Sequence, residues 1–166
     1  MSKIPLINVE NELNQFFKDV INKSRKNLKA KDAIASKDLY RSLKSTVKEN
    51  PNSIEASLNM EDYGTFINYG VKGTKSGKSL KNYKYTNKKP PLRFIKTWLK
   101  QKRGRFRERS LNSMAFMVQN TVYQRGIKPT EFYSKPFEEE FKKLPQELIE
   151  AYGLDVDAFL EFVFKD

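Results

Sequence analysis

Residues 70–79 read "GVKGTKSGKS", with three glycines ahead of the closing Lys-Ser pair. Glycine, lysine and a hydroxyl in that order are the materials of a phosphate-binding loop, GxxxxGK[ST]. Successive backbone N–H groups in such a loop cradle the phosphates of a nucleotide. The spacing here is one residue short, because only Thr74, Lys75 and Ser76 separate Gly73 from Gly77. A phosphate loop must also leave a buried strand and open a helix whose N-terminus meets the anion. The next stretch of chain is instead "LKNYKYTNKKPP", with no helical apolar period and two prolines at its end. No apolar strand ending in Asp offers a magnesium partner either. Nucleotide chemistry is therefore rejected, and the glycines need another cause.

The chain has no His and no Cys. That removes the commonest general base, the commonest transition-metal ligand, thiolate metal sites and disulfides. The consecutive carboxylates Glu138, Glu139 and Glu140 splay around a helix axis instead of converging. Asp155 and Asp157 suit a helix N-terminus better than a metal site. Tyr and Lys are abundant, but nothing singles one out as a nucleophile. The sequence thus predicts a protein that is not an enzyme and uses no cofactor or metal.

What the residues do offer is segregated charge. The 166 residues carry 32 Lys and Arg against 20 Asp and Glu, a net +12. Residues 72–109 hold 15 of those bases and one acid, Glu108, whereas residues 131–166 hold ten acids and four Lys. Lys72, Lys75, Lys78, Lys81, Lys84, Lys88 and Lys89 recur about every third residue, with Tyr83 and Tyr85 among them. A second cluster, Lys102, Arg103, Arg105, Arg107 and Arg109, surrounds Phe106. Such a block can be a solvated flexible arm, can meet an acidic protein surface such as Glu138–Glu140, or can track a phosphate backbone with its tyrosines on the bases. Charge alone does not separate these, and no recognised DNA- or RNA-binding motif accompanies it. The first residues contain no apolar run long enough for a signal peptide or membrane span. A soluble protein made in a cytoplasm, with no membrane partner, is expected.

One domain over residues 1–166 is expected to carry these groups. Val9, Leu13, Phe16, Phe17, Val20, Ile21 and Leu28 fall at helical spacing behind Asn8 as a cap. A second N-terminal helix, capped by Ser36 and carrying Leu39, Leu43 and Val47, extends the helical region 8–49 to Asn50-Pro51. In 53–71, Ile54, Ala56, Leu58 and Met60 alternate as a half-buried strand. A short helix or turn after an Asp62 cap comes next. The segment 72–90, anchored by Leu80, Tyr83 and Tyr85, reads as a long loop or a two-stranded basic arm. Residues 91–126 hold two helices: Leu92, Ile95, Trp98 and Leu99 line the first, interrupted at Gly104. Leu111, Met114, Ala115, Val118 and Val122 line the second, from a Ser110 cap to Gly126 just past its end. Residues 134–166 give acidic C-terminal helices. The first, from Ser134 with Phe137 and Phe141, breaks at Pro145; a turn with Leu148, Ile149 and Tyr152 ends at Gly153; Asp155 caps the last. The fold class is α+β and mostly helical. It has a long N-terminal helix, a small antiparallel sheet with an extended basic loop or arm, and C-terminal helices.

This order of elements resembles the tail-completion or head–tail joining proteins of tailed bacteriophages. Tyr63, Phe66, Ile67, Tyr69 and Gly70 correspond to that family's first aromatic and glycine motif, ahead of a glycine-rich loop. Arg125, Gly126, Ile127, Pro129, Phe132 and Tyr133 correspond to its second, after two helices. Asn68 stands where the family usually has Glu, and Val71 where Thr comes after the glycine. The resemblance implies a structural virion protein at the head–tail interface, assembled in the host cytoplasm. It implies rings of six or twelve copies that touch portal, connector or tail proteins, with contact to packaged DNA also open. A heterologous ring interface joins unlike patches, so residues 72–90 are expected to reach onto a neighbour and become ordered there. The alternative is a non-catalytic nucleic-acid-binding protein using residues 72–109.

Overall fold

Helix α1 (Ile7–Ala30) obeys the apolar spacing of its sequence, burying Phe16, Phe17, Val20, Ile21 and Leu28. The computed structural model describes residues 5–30, 37–50, 53–101 and 110–164. Among these, α1 is succeeded by α2 (Lys37–Ser42), β1 (Lys44–Asn50), β2 (Ser53–Asn59), α3 (Tyr63–Tyr69) and β3 (Val71–Lys72). Then come α4 (Leu92–Gln101), α5 (Leu111–Arg125), β4 (Gly126–Ile127), α6 (Ser134–Phe141) and α7 (Leu144–Phe164). The fold is α+β, with a long N-terminal helix, small two-stranded antiparallel sheets and C-terminal helices. The chain forms two compact units, each assembled from separated stretches. The first comprises Met1–Ser24, Leu43–Asn59 and Tyr133–Asp166; the second comprises Arg25–Ser42 and Met60–Phe132.

The first unit closes around aromatic side chains. Phe16, Phe17, Val20 and Leu144 are buried together, with Leu13, Val47, Ala56, Leu58, Phe137 and Leu148 packed against them. Phe16 meets Phe17 and Phe137 edge-on, at centroid distances of 5.0 and 5.4 Å, the geometry that ring quadrupoles favour. The β1–β2 hairpin presents one face to this core: Val47 pairs directly with Ala56, and Leu58 lies two residues along the same face.

That hairpin corrects the expected second helix. Leu39 is buried in α2 as its spacing predicts, but the helix stops at Ser42 and Val47 lies in a strand. Seven residues of β2 need a ladder partner, and the β-branched pair Thr46-Val47 supplies one at the cost of two helical turns. Ser42 marks the change, its hydroxyl donating to the Leu39 carbonyl (3.0 Å) and accepting the Glu61 N–H (3.0 Å). Ser36 lies outside the described residues.

The C-terminal helices are also corrected. Pro145 does not break the chain's helicity. It sits in the first turn of α7, where its missing N–H has no helical partner to lose. α7 then runs without interruption through Gly153 and Asp155. Asp155 caps a helix, but not its own. Its buried carboxylate accepts the Asn8 N–H (2.9 Å), the Asn8 side-chain amide (2.8 Å) and the Val9 N–H (3.1 Å) at the start of α1. A negative group at that end also complements the helix dipole. Asp62 and Ser110 make no side-chain cap bond at α3 and α5.

Asp155→Ala would leave donors of α1 unmatched and is expected to cost about 1–2 kcal/mol of stability, read as a lower urea midpoint at unchanged slope. Gly153→Ala has the opposite sign. Nothing lies within 4 Å of an added Cβ there, so replacing a mid-helix glycine should raise stability by about 0.5–1 kcal/mol.

Candidate functional site

In the second unit, α4 and α5 pack through Ile95, Leu99, Met114 and Ala115, with Leu92, Trp98, Leu111 and Val118 around them. This fixes α5 and leaves its C-terminal carbonyls to be satisfied. The stretch that resembles a phosphate loop satisfies them. The Thr74 N–H donates to the Tyr123 carbonyl (3.0 Å), and the Lys75 and Ser76 N–H groups donate to that of Gln124 (2.9 and 3.1 Å). A row of backbone donors that elsewhere would hold phosphate here caps a helix.

The glycines make that approach possible. A Cβ on Gly73 would stand 2.2 Å from the Gln124 oxygen, and one on Gly77 would stand 2.3 Å from the Arg125 oxygen. Gly126, at φ +80°, would bring one 2.1 Å from the Val71 oxygen. β3 and β4 pair antiparallel beside it, Val71 with Ile127 and Lys72 with Gly126. The two motifs that carry the family resemblance thus meet at one junction. There the Thr130 N–H donates to the Ile67 and Asn68 carbonyls (both 3.1 Å) and the Glu131 N–H to Asn68 (2.9 Å), closing the end of α3.

The rest of the loop is tied down as well. The Lys72 N–H donates to Tyr83 and the Tyr85 N–H donates back to Lys72, both at 2.9 Å, and Leu80 donates to Tyr69 (2.8 Å). Residues 86–90 return along α5, with Tyr123 Oη donating to the Thr86 carbonyl, Lys89 Nζ to Asn120 Oδ1 (2.8 Å) and Gln119 Nε2 to the Pro90 carbonyl (2.7 Å). Residues 72–90, read from sequence as a basic loop or arm, are thus held as a loop by their own chain. Donors and acceptors for residues 72–90 come from the same unit.

The side chains of this closed loop face outward. Lys72, Lys75, Lys78, Lys81, Lys84, Lys88 and Lys89 are all exposed. Among the described residues none of them forms a salt bridge. Lys81 lies over the Tyr69 ring at 4.2 Å, and Lys89 over Phe116 at 5.5 Å. Tyr83 and Tyr85, which a nucleic-acid role would use to stack on bases, are half-buried. They pack on Phe66 (5.1 Å) and Tyr123 (6.0 Å). Burial pushes the Tyr85 phenol up. The Tyr63 phenol is pushed up to about 12, by burial first and then by Asp38. An activated nucleophile needs the opposite shift. The second cluster, Lys102, Arg103, Arg105, Arg107 and Arg109, lies outside the described residues.

In the first unit the three consecutive acids separate as their helix dictates. Glu138 and Glu139 are exposed, whereas Glu140 is largely covered and pairs with Lys23 and, at 3.6 Å, with Lys143. The Lys23 hydrogen bond holds the Glu140 carboxyl below its usual range. Glu138 stands 4.0 Å from Lys142. They form no single acidic patch. A larger feature escapes any reading that divides α7 at Gly153. Ile149, Tyr152, Leu160 and Val163 are exposed on one uninterrupted helix that carries five acids and no Lys or Arg. With half-buried Val156 they recur at 149, 152, 156, 160 and 163, the signal by which sequence could have found the stripe.

Among the described residues no group of three or more Asp or Glu could hold a metal ion, and no helix is long and apolar enough to cross a membrane. Comparison with protein-family models, curated proteins and solved structures gives no match.

Gly126→Ala is expected to cost about 1–3 kcal/mol through backbone strain and to unseat the loop. Limited trypsin digestion should then cut within residues 72–89 several times faster than in the parent protein, while Gly153→Ala should leave that rate unchanged.

Proposed function

We propose that this protein is a non-catalytic structural component that assembles with copies of itself through unlike surfaces. The role proposed is the one its residues resemble, in a connector or tail-completion ring at the head–tail interface of a tailed bacteriophage virion. Portal, connector or tail proteins would be its other neighbours. The observation that carries the reading is the division of charge between the two units. The second holds 23 Lys and Arg against six acids, net +17, and the first holds nine against 14, net −5. A chain built this way attracts its own copies head to tail, the geometry that closes into rings.

A nucleic-acid-binding role draws on the same exposed lysines. It is the weaker reading, because Tyr83 and Tyr85, the aromatics interleaved with the lysines, are half-buried and packed on Phe66 and Tyr123 within their own unit.

Light scattering and negative-stain electron microscopy across a concentration series test the assembly. The expected result is annular particles at about 0.1 M salt that dissociate toward about 1 M salt, where surface charges are screened within about 3 Å. A chain that stays monomeric at every concentration, yet holds duplex DNA with a steep salt dependence, would overturn the proposal in favour of the nucleic-acid role.

A further inference from the structure

α7 has two apolar faces. One packs inward through Leu144, Leu148 and Ala151. The other, stepping around the helix at 149, 152, 156, 160 and 163, is a stripe about 20 Å long. Apart from half-buried Val156 it is open to solvent, with Ile149 67% and Val163 46% exposed. Glu150 and Asp157, both exposed, border it. An apolar stripe of this length marks a surface built to be covered.

The second unit carries a surface of matching character. Phe116 and Met117 project from α5 with 54% and 55% of their area exposed. The Lys89 ammonium lies 5.5 Å from the Phe116 ring centre, and Lys88 beside it is exposed. We propose that α7 of one copy docks along α5 of a second copy. The stripe covers Phe116 and Met117, and Glu150 and Asp157 face Lys88 and Lys89. This dock rests on the assembly reading and names its interface.

Charge selects the occupant. Two α7 helices brought together would oppose acids to acids, and two α5 faces would oppose lysines to lysines; only the unlike pair is attractive. A phosphate backbone would satisfy the lysines but would be repelled by the acids bordering the α7 stripe and leave that stripe uncovered.

The experiment uses the full chain in two charge-reversed forms, Glu150→Lys/Asp157→Lys and Lys88→Glu/Lys89→Glu, with folding checked by circular dichroism. Each form alone should self-associate at least about tenfold more weakly than the parent protein in sedimentation velocity. An equimolar mixture should recover the parent's assembly, because each reversed face then meets an opposite one. Phe116→Ser, which removes an exposed ring and leaves the buried contacts between α4 and α5 in place, should weaken association without altering charge. If both reversed forms and Phe116→Ser assemble like the parent, this dock is overturned while self-assembly stands. If the parent itself is monomeric throughout, the dock and the assembly reading fail together.

Discussion

The end of a helix sets the terms for the most charged part of this protein. α5 finishes with carbonyl groups that have no partner within the helix, and the loop after β3 brings backbone N–H groups to them. That contact requires backbone to approach backbone, which is why glycine stands at 73, 77 and 126. Once the loop is held there, its lysines point outward, and Lys75 lies at the negative end of the α5 dipole. A segment with almost no apolar content is thereby ordered without a core of its own.

The same contact explains why a motif of nucleotide-binding character appears in a chain with no nucleotide chemistry. Backbone donors in a row serve any concentrated negative charge. A phosphate is one such charge and the carbonyl end of a helix is another. Sequence composition alone registers the donors and the glycines but not the acceptor. Only the chain's path, with Thr74 and Lys75 lying over Tyr123 and Gln124, distinguishes the two.

Much of the framework is legible in the residues. α1, α4, α5 and β2 obey their apolar periods, and Gly126 ends α5 as its position suggests. The failures have particular causes. Leu39, Leu43 and Val47 satisfy a helical period, yet β2 needs a strand partner and claims Val47. Pro145 and Gly153 are helix breakers by local preference. Pro145 falls where a proline is tolerated, and the roughly 1 kcal/mol penalty of Gly153 is outweighed by the buried contacts of Leu144, Ala151 and Asp155 on either side. Dividing α7 in turn hides the outer stripe. The basic loop is visible as a charge pattern, but its hydrogen bonds are made by backbone atoms, which side-chain identity does not report.

The bond between Asp155 and the start of α1 spans 147 positions of sequence. Residues 25–42 and 60–132 can complete their own unit while the ribosome is still at work, since all their stretches are already made. The other unit must wait for residues 133–164, and until then the opening turn of α1 lacks its carboxylate. The apolar stripe of α7 is translated in that same late interval. A nascent chain therefore has its cationic unit in full first, and acquires the surface proposed for joining other copies afterwards.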